Sequence, residues 1–242
     1  LEQARVVGGG SSINAQMANR GSPLDYNEWE EKGATGWNWD SVLPYFRKSE
    51  TYVSGQGETR GATGPLQVED YRTILPLTHR FVEAAQEAGH RFREDLNGYE
   101  RTGVGYSQMS RIGRRRGSTA QTFLAGVKKS PLLQVVTEAL ASRLLFEGQR
   151  CVGVAYEKGG VAQEVRAGKE VILAGGTVNS PHLLQISGIG PAEHLKSIGV
   201  EPIHNLPGVG ANLSDHYCAR VSHRVKDAIS INQLSRGMRL AW

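Results

Sequence analysis

The sequence predicts a mixed α/β protein with a doubly wound part and a run of short hairpin strands. Two observations carry this prediction. The apolar run "EVILAGG" at 170–176 ends in two glycines directly before a predicted helix, which is the strand–turn–helix pattern of a doubly wound fold. Between 132 and 168, short strand-like segments alternate with glycine turns, which is typical of an antiparallel sheet.

Composition excludes several classes of protein. The 242 residues carry 28 Lys and Arg against 24 Asp and Glu, a net charge of +4. No run of about 18 apolar residues occurs, so we expect no membrane span. The basic run Arg114–Arg116 has no interleaved aromatic residues, so we expect a surface turn or ion pairs rather than a nucleic-acid site.

The cysteine count and the first residue add two expectations. Cys151 and Cys218 are too few for a disulfide framework or a four-ligand zinc site, so we expect no metal and a reducing, cytoplasmic setting. The chain begins with Leu1 and has no initiator Met, and we therefore expect it to start inside a longer protein.

Five elements are predicted in the first half of the chain. They are a helix over 11–21 capped by Ser11 or Ser12, a helix over 41–50 capped by Asp40 or Ser41, a strand over 65–71, a helix over 76–88 that ends at Gly89 and buries Phe81, Ala84, Ala85 and Ala88, and a strand over 103–113. The segment between them at 54–65 has almost no apolar residue, which is typical either of a lid or of a disordered surface loop.

The second half is predicted to be richer in strands. The predicted elements are a helix over 118–127, strands over 132–139, 142–158 and 161–166 with hairpin turns at "EGQR" and "KGG", a buried parallel strand over 170–174, a helix over 180–187 capped by Ser180, a strand from 215, and a helix over 230–242.

The glycine-rich stretch "ARVVGGGSSIN" at 4–14 is the first candidate binding site. Glycines allow a ligand to approach the backbone closely, and a helix start points its free N–H groups at an anion. A diphosphate or the edge of a flavin ring suits such a turn, although a tight entry to a helix also explains it. The dinucleotide fingerprint G-x-G-x-x-G does not open the chain, and "GVGANLSDH" at 208–216 follows no apolar strand.

These stretches carry a family resemblance. "ARVVGGGSSINAQMANRG" resembles the first signature of the glucose–methanol–choline (GMC) oxidoreductases, and "GTVNSPHLLQISGIG" at 176–190 resembles the second. Further matching stretches are "DLNGYERTGVGYSQ", "LPGVGANLSDH" and "SINQLSRG". Within the family, the chain looks most similar to bacterial 5-hydroxymethylfurfural and aryl-alcohol oxidases and to choline dehydrogenase-like members.

The resemblance implies an FAD enzyme that moves a hydride from a primary alcohol, its small-molecule substrate, to flavin N5 and so forms an aldehyde. It assigns these residues to the FAD site: Val6, Gly9, Ser11, Ser12, Asn14, Ala15, Gln16, Met17, Ala141, Ala174 and Gly175. Some relatives attach flavin covalently through a histidine where this chain has Ile13, so the resemblance implies non-covalent FAD.

The resemblance also implies that parts of the family pattern lie outside this chain. These are the G-x-G-x-x-G and the catalytic histidine near the C-terminus, so no catalytic residue is assigned, and His182 and His216 are interpreted as structural. The resemblance thus implies a doubly wound FAD-binding domain, 1–62 and 117–213, interleaved with a substrate domain that has an antiparallel sheet, 63–116 and 214–242, and both domains are incomplete. Two alternatives stay open, namely a non-catalytic fragment or inactive paralogue, and a hydroxynitrile lyase with FAD.

Overall fold

The structure is a computed structural model and describes residues 3–55 and 57–234. Its helices are α1 (Pro23–Glu31), α2 (Trp39–Ser49), α3 (Pro76–Glu87), α4 (Gly176–Ile186), α5 (Ala192–Ser197) and α6 (Ile231–Leu234), with a 3₁₀ turn at Gly9–Ser12. Its strands are β1 (Glu50–Tyr52), β2 (Leu66–Asp70), β3 (Gln108–Ile112), β4 (Arg115–Arg116), β5 (Ala139–Glu147), β6 (Arg150–Lys158), β7 (Val161–Arg166), β8 (Ile189–Gly190) and β9 (His204–Asn205). The predicted mixed α/β class is confirmed.

Contacts divide the chain into two units, which are described separately. The first comprises the described residues of Leu1–Leu133 and His223–Trp242, and the second is Gln134–Ser222. The four-part domain division made from the sequence stays a prediction.

The first unit is built on a four-stranded mixed sheet in the order β1-β2-β3-β4. β1 and β2 are parallel, whereas β3 runs antiparallel to both of its neighbours, β2 and β4. Val68 of β2 and Gln108 of β3 are fully buried, so the sheet carries the centre of this core. The strands predicted over 65–71 and 103–113 are therefore present as β2 and β3.

An aromatic cluster packs beside this sheet. The ring of Trp39, which is buried at the start of α2, lies 5.8 Å from that of Tyr26 and 6.2 Å from that of Tyr99. The guanidinium of Arg101 lies over Trp39 at 5.8 Å and that of Arg20 lies over Phe46 at 5.2 Å. Aromatic faces attract cations, so these arginines contribute to the cluster while keeping their charge.

The segment at 54–65 packs closely where the sequence offered a lid or a disordered loop. Thr59 and Arg60 are buried within it. A Cβ at Gly61 would lie 2.1 Å from the carbonyl oxygen of Arg47, and one at Gly64 would lie 2.1 Å from the carbonyl carbon of Ser49. The loop backbone therefore rests directly on the end of α2, an approach that only glycine permits.

The second unit contains the antiparallel sheet β5-β6-β7. Both predicted hairpin turns are confirmed, since Glu147 pairs with Arg150 and Lys158 pairs with Val161. Gly159 and Gly160 both have positive φ, as a two-residue hairpin turn requires. Ser187, just after α4, joins this helix to the sheet by accepting from Leu144 N (2.9 Å) and donating to Leu183 O (2.6 Å).

Two predicted helices are wrong. Ile13 and Asn14 end the 3₁₀ turn by donating to Gly10 O. The non-helical residues 15–21 form an extended segment, because the Asn14 side chain accepts from Gln16 N and residues 16–18 pair with β3. Residues 119–129 form irregular turns in place of a helix over 118–127, since their hydrogen bonds mix spacings of three, four and five residues.

Three predicted strands do not form. Residues 132–137, 170–174 and 215–222 have no strand partner among the described residues, and a strand without a hydrogen-bonded neighbour is not stable. Ile172 is 78% exposed, which is the opposite of burial on both faces. Of the helix predicted over 230–242, the structure gives α6, and residues 235–242 lie outside the described part.

Four details of the predicted helices need correction. Asn38, not Asp40 or Ser41, caps α2 by accepting from Ser41 N. α4 begins at Gly176, four residues before Ser180, whose hydroxyl instead accepts from Gly175 N. In α3, Val82 is buried, whereas Phe81 is 69% exposed and Ala84 and Ala88 are also exposed. Pro23 opens α1 behind the Ser22 cap, a helix that the sequence pattern did not predict.

Candidate functional site

The glycine-rich stretch near the start of the chain forms a compact turn. Gly8 and Gly9 have φ angles of 96° and 53°, which residues with a side chain rarely adopt. A Cβ at Gly8 would lie 2.4 Å from Ser12 Oγ, so the turn closes only with glycine there. In contrast, no atom lies within 4 Å of a Cβ built at Gly9 or Gly10. The outer edge of the turn is thus open to a ligand.

Both serines of the turn bond inward. Ser11 Oγ donates to Gly8 O (2.5 Å) and Ser12 Oγ donates to Val7 O (2.9 Å). Thr119 supports the same turn from another part of the chain, because its N–H donates to Ser11 Oγ (3.0 Å) and its hydroxyl donates to Gly8 O (3.2 Å). The serine hydroxyls therefore fix the shape of the turn, which leaves backbone groups to face a ligand.

An extended segment follows the turn and carries four more predicted FAD residues. Gln16 has a φ of 64°, and its conformation is held because its backbone oxygen accepts from Ser110 N (2.9 Å) and its Nε2 donates to Ser110 O (3.1 Å). Met17 pairs with Met109 of β3. Asn14 and Ala15 are exposed. The first eight predicted site residues, 6–17, thus form one continuous surface supported by β3.

This surface is apolar and open, which fits a flat cofactor. Val6 and Met17 are each 54% exposed, and Val7 and Ile13 are also exposed. Beside the turn lies an apolar cavity of about 320 Å³ lined by Gly8, Thr119, Ala120, Phe123, Leu124, Val127 and Leu133. The positive-φ backbone, the open glycines and the uncovered apolar side chains together suit a ring system with a polar edge.

The remaining predicted residues lie in the second unit. Ala141 is exposed in β5, beside an irregularity in the pairing with β6 between Ala141 and Arg143. Ala174 and Gly175 are exposed immediately before α4, and Gly175 is its N-cap. A Cβ at Gly176 meets no atom within 4 Å, so this helix start is open as well. Open helix starts favour anions such as phosphate.

Asn97 is a supporting residue that the sequence prediction does not single out. It is fully buried, and its Nδ2 donates to Ala18 O (2.7 Å) and Gln108 Oε1 (3.0 Å). Its Oδ1 accepts from Arg20 N (2.9 Å). Asn97 thus fixes the end of the extended segment against β3. It lies in the stretch "DLNG" that resembles the family, and its partners are distant in sequence, so nothing local marks its role.

A buried ion network lies beyond Asn97. Glu50 accepts from Arg20 Nη2 (2.7 Å) and Arg60 Nη1 (3.0 Å), and Arg60 Nε also contacts Asp95 (2.9 Å). Burial lowers the pKa of Arg20, and Glu50 opposes this effect. Two arginines and two carboxylates balance in charge, so the network holds the loop at 54–65 against the core without a net buried charge.

The histidines provide no catalytic constellation in the described part of the chain. His182 of α4 lines a cavity of about 480 Å³ together with residues 210–214. His216 is exposed, and its Nδ1 lies 3.7 Å from Oδ1 of the neighbouring Asp215. His79 bonds to the hydroxyl of Tyr106 (2.7 Å). No group of three metal-ligating side chains occurs among the described residues, and no helix among them is long and apolar enough to cross a membrane.

Comparison with known proteins identifies the family of this chain. Residues 1–218 match the family model described as GMC oxidoreductase. The chain is 41% identical over 237 residues to the mitochondrial choline dehydrogenase of Mus musculus, covering 98% of this chain and 40% of that protein. It is 44% identical over 214 residues to the oxygen-dependent choline dehydrogenase of Brucella anthropi, covering 88% and 39%.

Solved structures give the same result. A FAD-dependent oxidoreductase from Chaetomium thermophilum matches with a TM-score of 0.81 and 34% identity, covering 85% of this chain and 38% of that chain. A pyridoxine 4-oxidase from Mesorbium loti matches at 0.79 and 30%, covering 85% and 41%. The chain therefore belongs to the GMC oxidoreductase family, as its two signature stretches predicted. It spans about two fifths of the length of these relatives.

Proposed function

We propose that this chain forms the flavin-contacting part of an FAD-dependent enzyme that oxidises a primary alcohol to an aldehyde. The observation that carries the proposal is the open turn at Gly9–Ser12 together with the apolar surface that extends to Met17. Relatives named choline dehydrogenase support alcohols as the substrate class. When bound, FAD would supply the hydride acceptor at flavin N5.

The chain's own residues bind and orient the cofactor in this proposal. Val6, Ile13 and Met17 present apolar side chains to a ring, while the glycines allow backbone to approach it. Ser11 and Ser12 hold the turn, and Asn14, Ala15 and Gln16 continue the same surface. In the second unit, Ala141, Ala174 and Gly175 are exposed, and the resemblance assigns them to the ADP part of FAD, for which the start of α4 suits phosphate.

FAD is held without a covalent bond in this proposal. The exposed side chain at position 13 is that of isoleucine, which has no nucleophilic atom that could bond to a flavin ring. The cofactor should therefore leave on denaturation without a covalent flavin–peptide adduct. No residue of the chain is assigned as the catalytic base, and the cytoplasmic location stays a prediction.

The test compares FAD binding by the wild-type chain and by one glycine variant. The Gly10→Leu variant places a side chain on the open edge, where its Cβ meets no atom within 4 Å, and we expect it to weaken FAD binding at least about tenfold. The Gly168→Leu variant is the matched control, because its Cβ also meets no atom within 4 Å and its φ is not positive. The readout is the visible flavin spectrum after desalting and a titration of flavin fluorescence.

Each outcome bears on the proposal. A flavin band that choline or an aryl alcohol bleaches without oxygen supports alcohol oxidation directly. A wild-type chain that binds no added FAD, or Gly10→Leu and Gly168→Leu variants that bind it equally well, would contradict the assignment of this turn.

A further inference from the structure

One residue of the basic run Arg114–Arg116 differs from its neighbours. Arg114 and Arg115 are exposed, whereas Arg116 is half-buried in β4. Its backbone is fixed by pairing with Arg111 of β3, the strand that also pairs with Met17. Arg116 makes no ion pair with a carboxylate within the described ranges 3–55 and 57–234.

The side chain of Arg116 reaches the glycine-rich turn, 102 residues earlier in the chain. Its Nη1 donates to the backbone oxygen of Asn14 (2.5 Å) and to Asn14 Oδ1 (2.9 Å), with a longer contact to Ser11 O (3.4 Å). Hydrogen bonds from a charged donor are stronger than neutral ones. The guanidinium of Arg116 therefore holds Asn14, the residue at which the 3₁₀ turn ends and the extended segment begins.

The effect of Arg116 extends to Gln16. Asn14 Oδ1, which Arg116 binds, also accepts from Gln16 N (3.1 Å), and Gln16 has the unfavourable φ of 64°. Residues other than glycine adopt this conformation only when their surroundings enforce it. Fixing the Asn14 amide thus fixes the backbone turn that presents Gln16 and Met17.

We propose that Arg116 is a positioning residue that holds the surface from Ser11 to Met17 in its ligand-binding shape. This inference rests on the proposed function for the identity of the ligand, FAD, but not for the contacts themselves. Arg116 acts through Asn14 and need not touch the cofactor. The sequence predicted a surface turn or ion pairs for this basic run. Its residue Arg116 instead supports the candidate site.

The experiment uses three variants of the full chain. Arg116→Gln removes the charge, Arg116→Lys keeps the charge on a shorter side chain that reaches Asn14 less well, and Arg115→Gln removes the same charge from the exposed neighbour. We expect Arg116→Gln and Arg116→Lys to bind FAD about tenfold or more weakly and Arg115→Gln to bind like the wild type. If Arg116→Lys binds as well as the wild type, or Arg115→Gln loses as much as Arg116→Gln, the positioning role is wrong.

A second measurement does not depend on FAD. Hydrogen exchange on the chain without added cofactor reports the amides of Asn14, Gln16 and Ala18, which are bonded in the structure. We expect faster exchange over 13–18 in both Arg116 variants and no change in Arg115→Gln, with protection of the β5–β7 sheet unchanged as a check on folding. Unchanged exchange over 13–18 would overturn the inference even if FAD binds. Faster exchange in a chain that binds no FAD would contradict the proposed function alone.

Discussion

Tyr52 shows how one side chain can give the stability of this fold a pH dependence. Its hydroxyl donates to Asp70 Oδ1 (2.9 Å), and Arg60 lies over its ring at 4.1 Å. Burial raises its pKa from 10.0 to about 12, and the hydrogen bond to Asp70 and the charge of Asp70 act in the same direction. Arg60 opposes them, but it is outweighed.

This shift predicts a loss of stability in alkali. A raised folded-state pKa means that the unfolded chain loses the Tyr52 proton first, so the stabilisation is complete below about pH 10 and lost as pH rises through about 12. We expect the free energy of unfolding of Tyr52→Phe to fall less steeply across this window than that of the wild type. Urea denaturation at several pH values measures it, and Tyr45→Phe, at an exposed tyrosine, is the control. Equal slopes for all three proteins would contradict the assignment.

At the residue scale, the sequence identified the right residue types and gave several of them the wrong role. Ser11 and Ser12 were predicted as helix caps because serine favours that position. In the structure their hydroxyls bond to the carbonyls of Gly8 and Val7 inside the turn. Asn97 and Arg116 were not predicted as supports, because their partners lie 79 and 102 residues away. Such roles depend on tertiary contacts that no local pattern contains.

At the scale of elements, what could be predicted was local. The β5–β6–β7 meander follows from alternating side chains and from glycines at the tips of its turns. The strand expected over 170–174 did not form, since parallel pairing requires a neighbour that the described residues do not supply. Local periodicity specifies a hairpin, whereas a parallel strand also needs its distant partner.

The junction between α4 and β5 yields a prediction at this scale. Ser187 is buried, and its hydroxyl satisfies Leu144 N, so Ser187→Ala leaves a buried N–H without a partner. We expect a loss of about 1–3 kcal/mol in the free energy of unfolding of the second unit. Far-UV circular dichroism during denaturation measures it. Ser197→Ala, at an exposed serine that bonds within its own helix turn, should change stability by less than about 0.5 kcal/mol. A Ser187→Ala curve that coincides with the Ser197→Ala curve would rule out this role.

At the scale of the whole molecule, each unit has its own core. Trp39, Val68 and Val82 are buried in the first unit, and Leu144, Val152 and Leu195 are buried in the second. The predicted FAD residues divide in the same way, with 6–17 in the first unit and Ala141, Ala174 and Gly175 in the second. The family was predictable because its two signatures are short and local, and the division into units was not, because it depends on contacts across the chain.

The aromatic cluster beside the first sheet determines which part of the unfolding of this protein tryptophan fluorescence reports. Of the four tryptophans, Trp29, Trp37 and Trp39 all belong to the first unit, and Trp242 lies outside the described residues. In a Trp242→Phe variant, all tryptophan fluorescence comes from Trp29, Trp37 and Trp39 of this cluster. An emission spectrum recorded during denaturation then follows that cluster and gives no direct reading of the β5–β7 sheet. Recording emission and dichroism on the same sample would assign each transition to its unit.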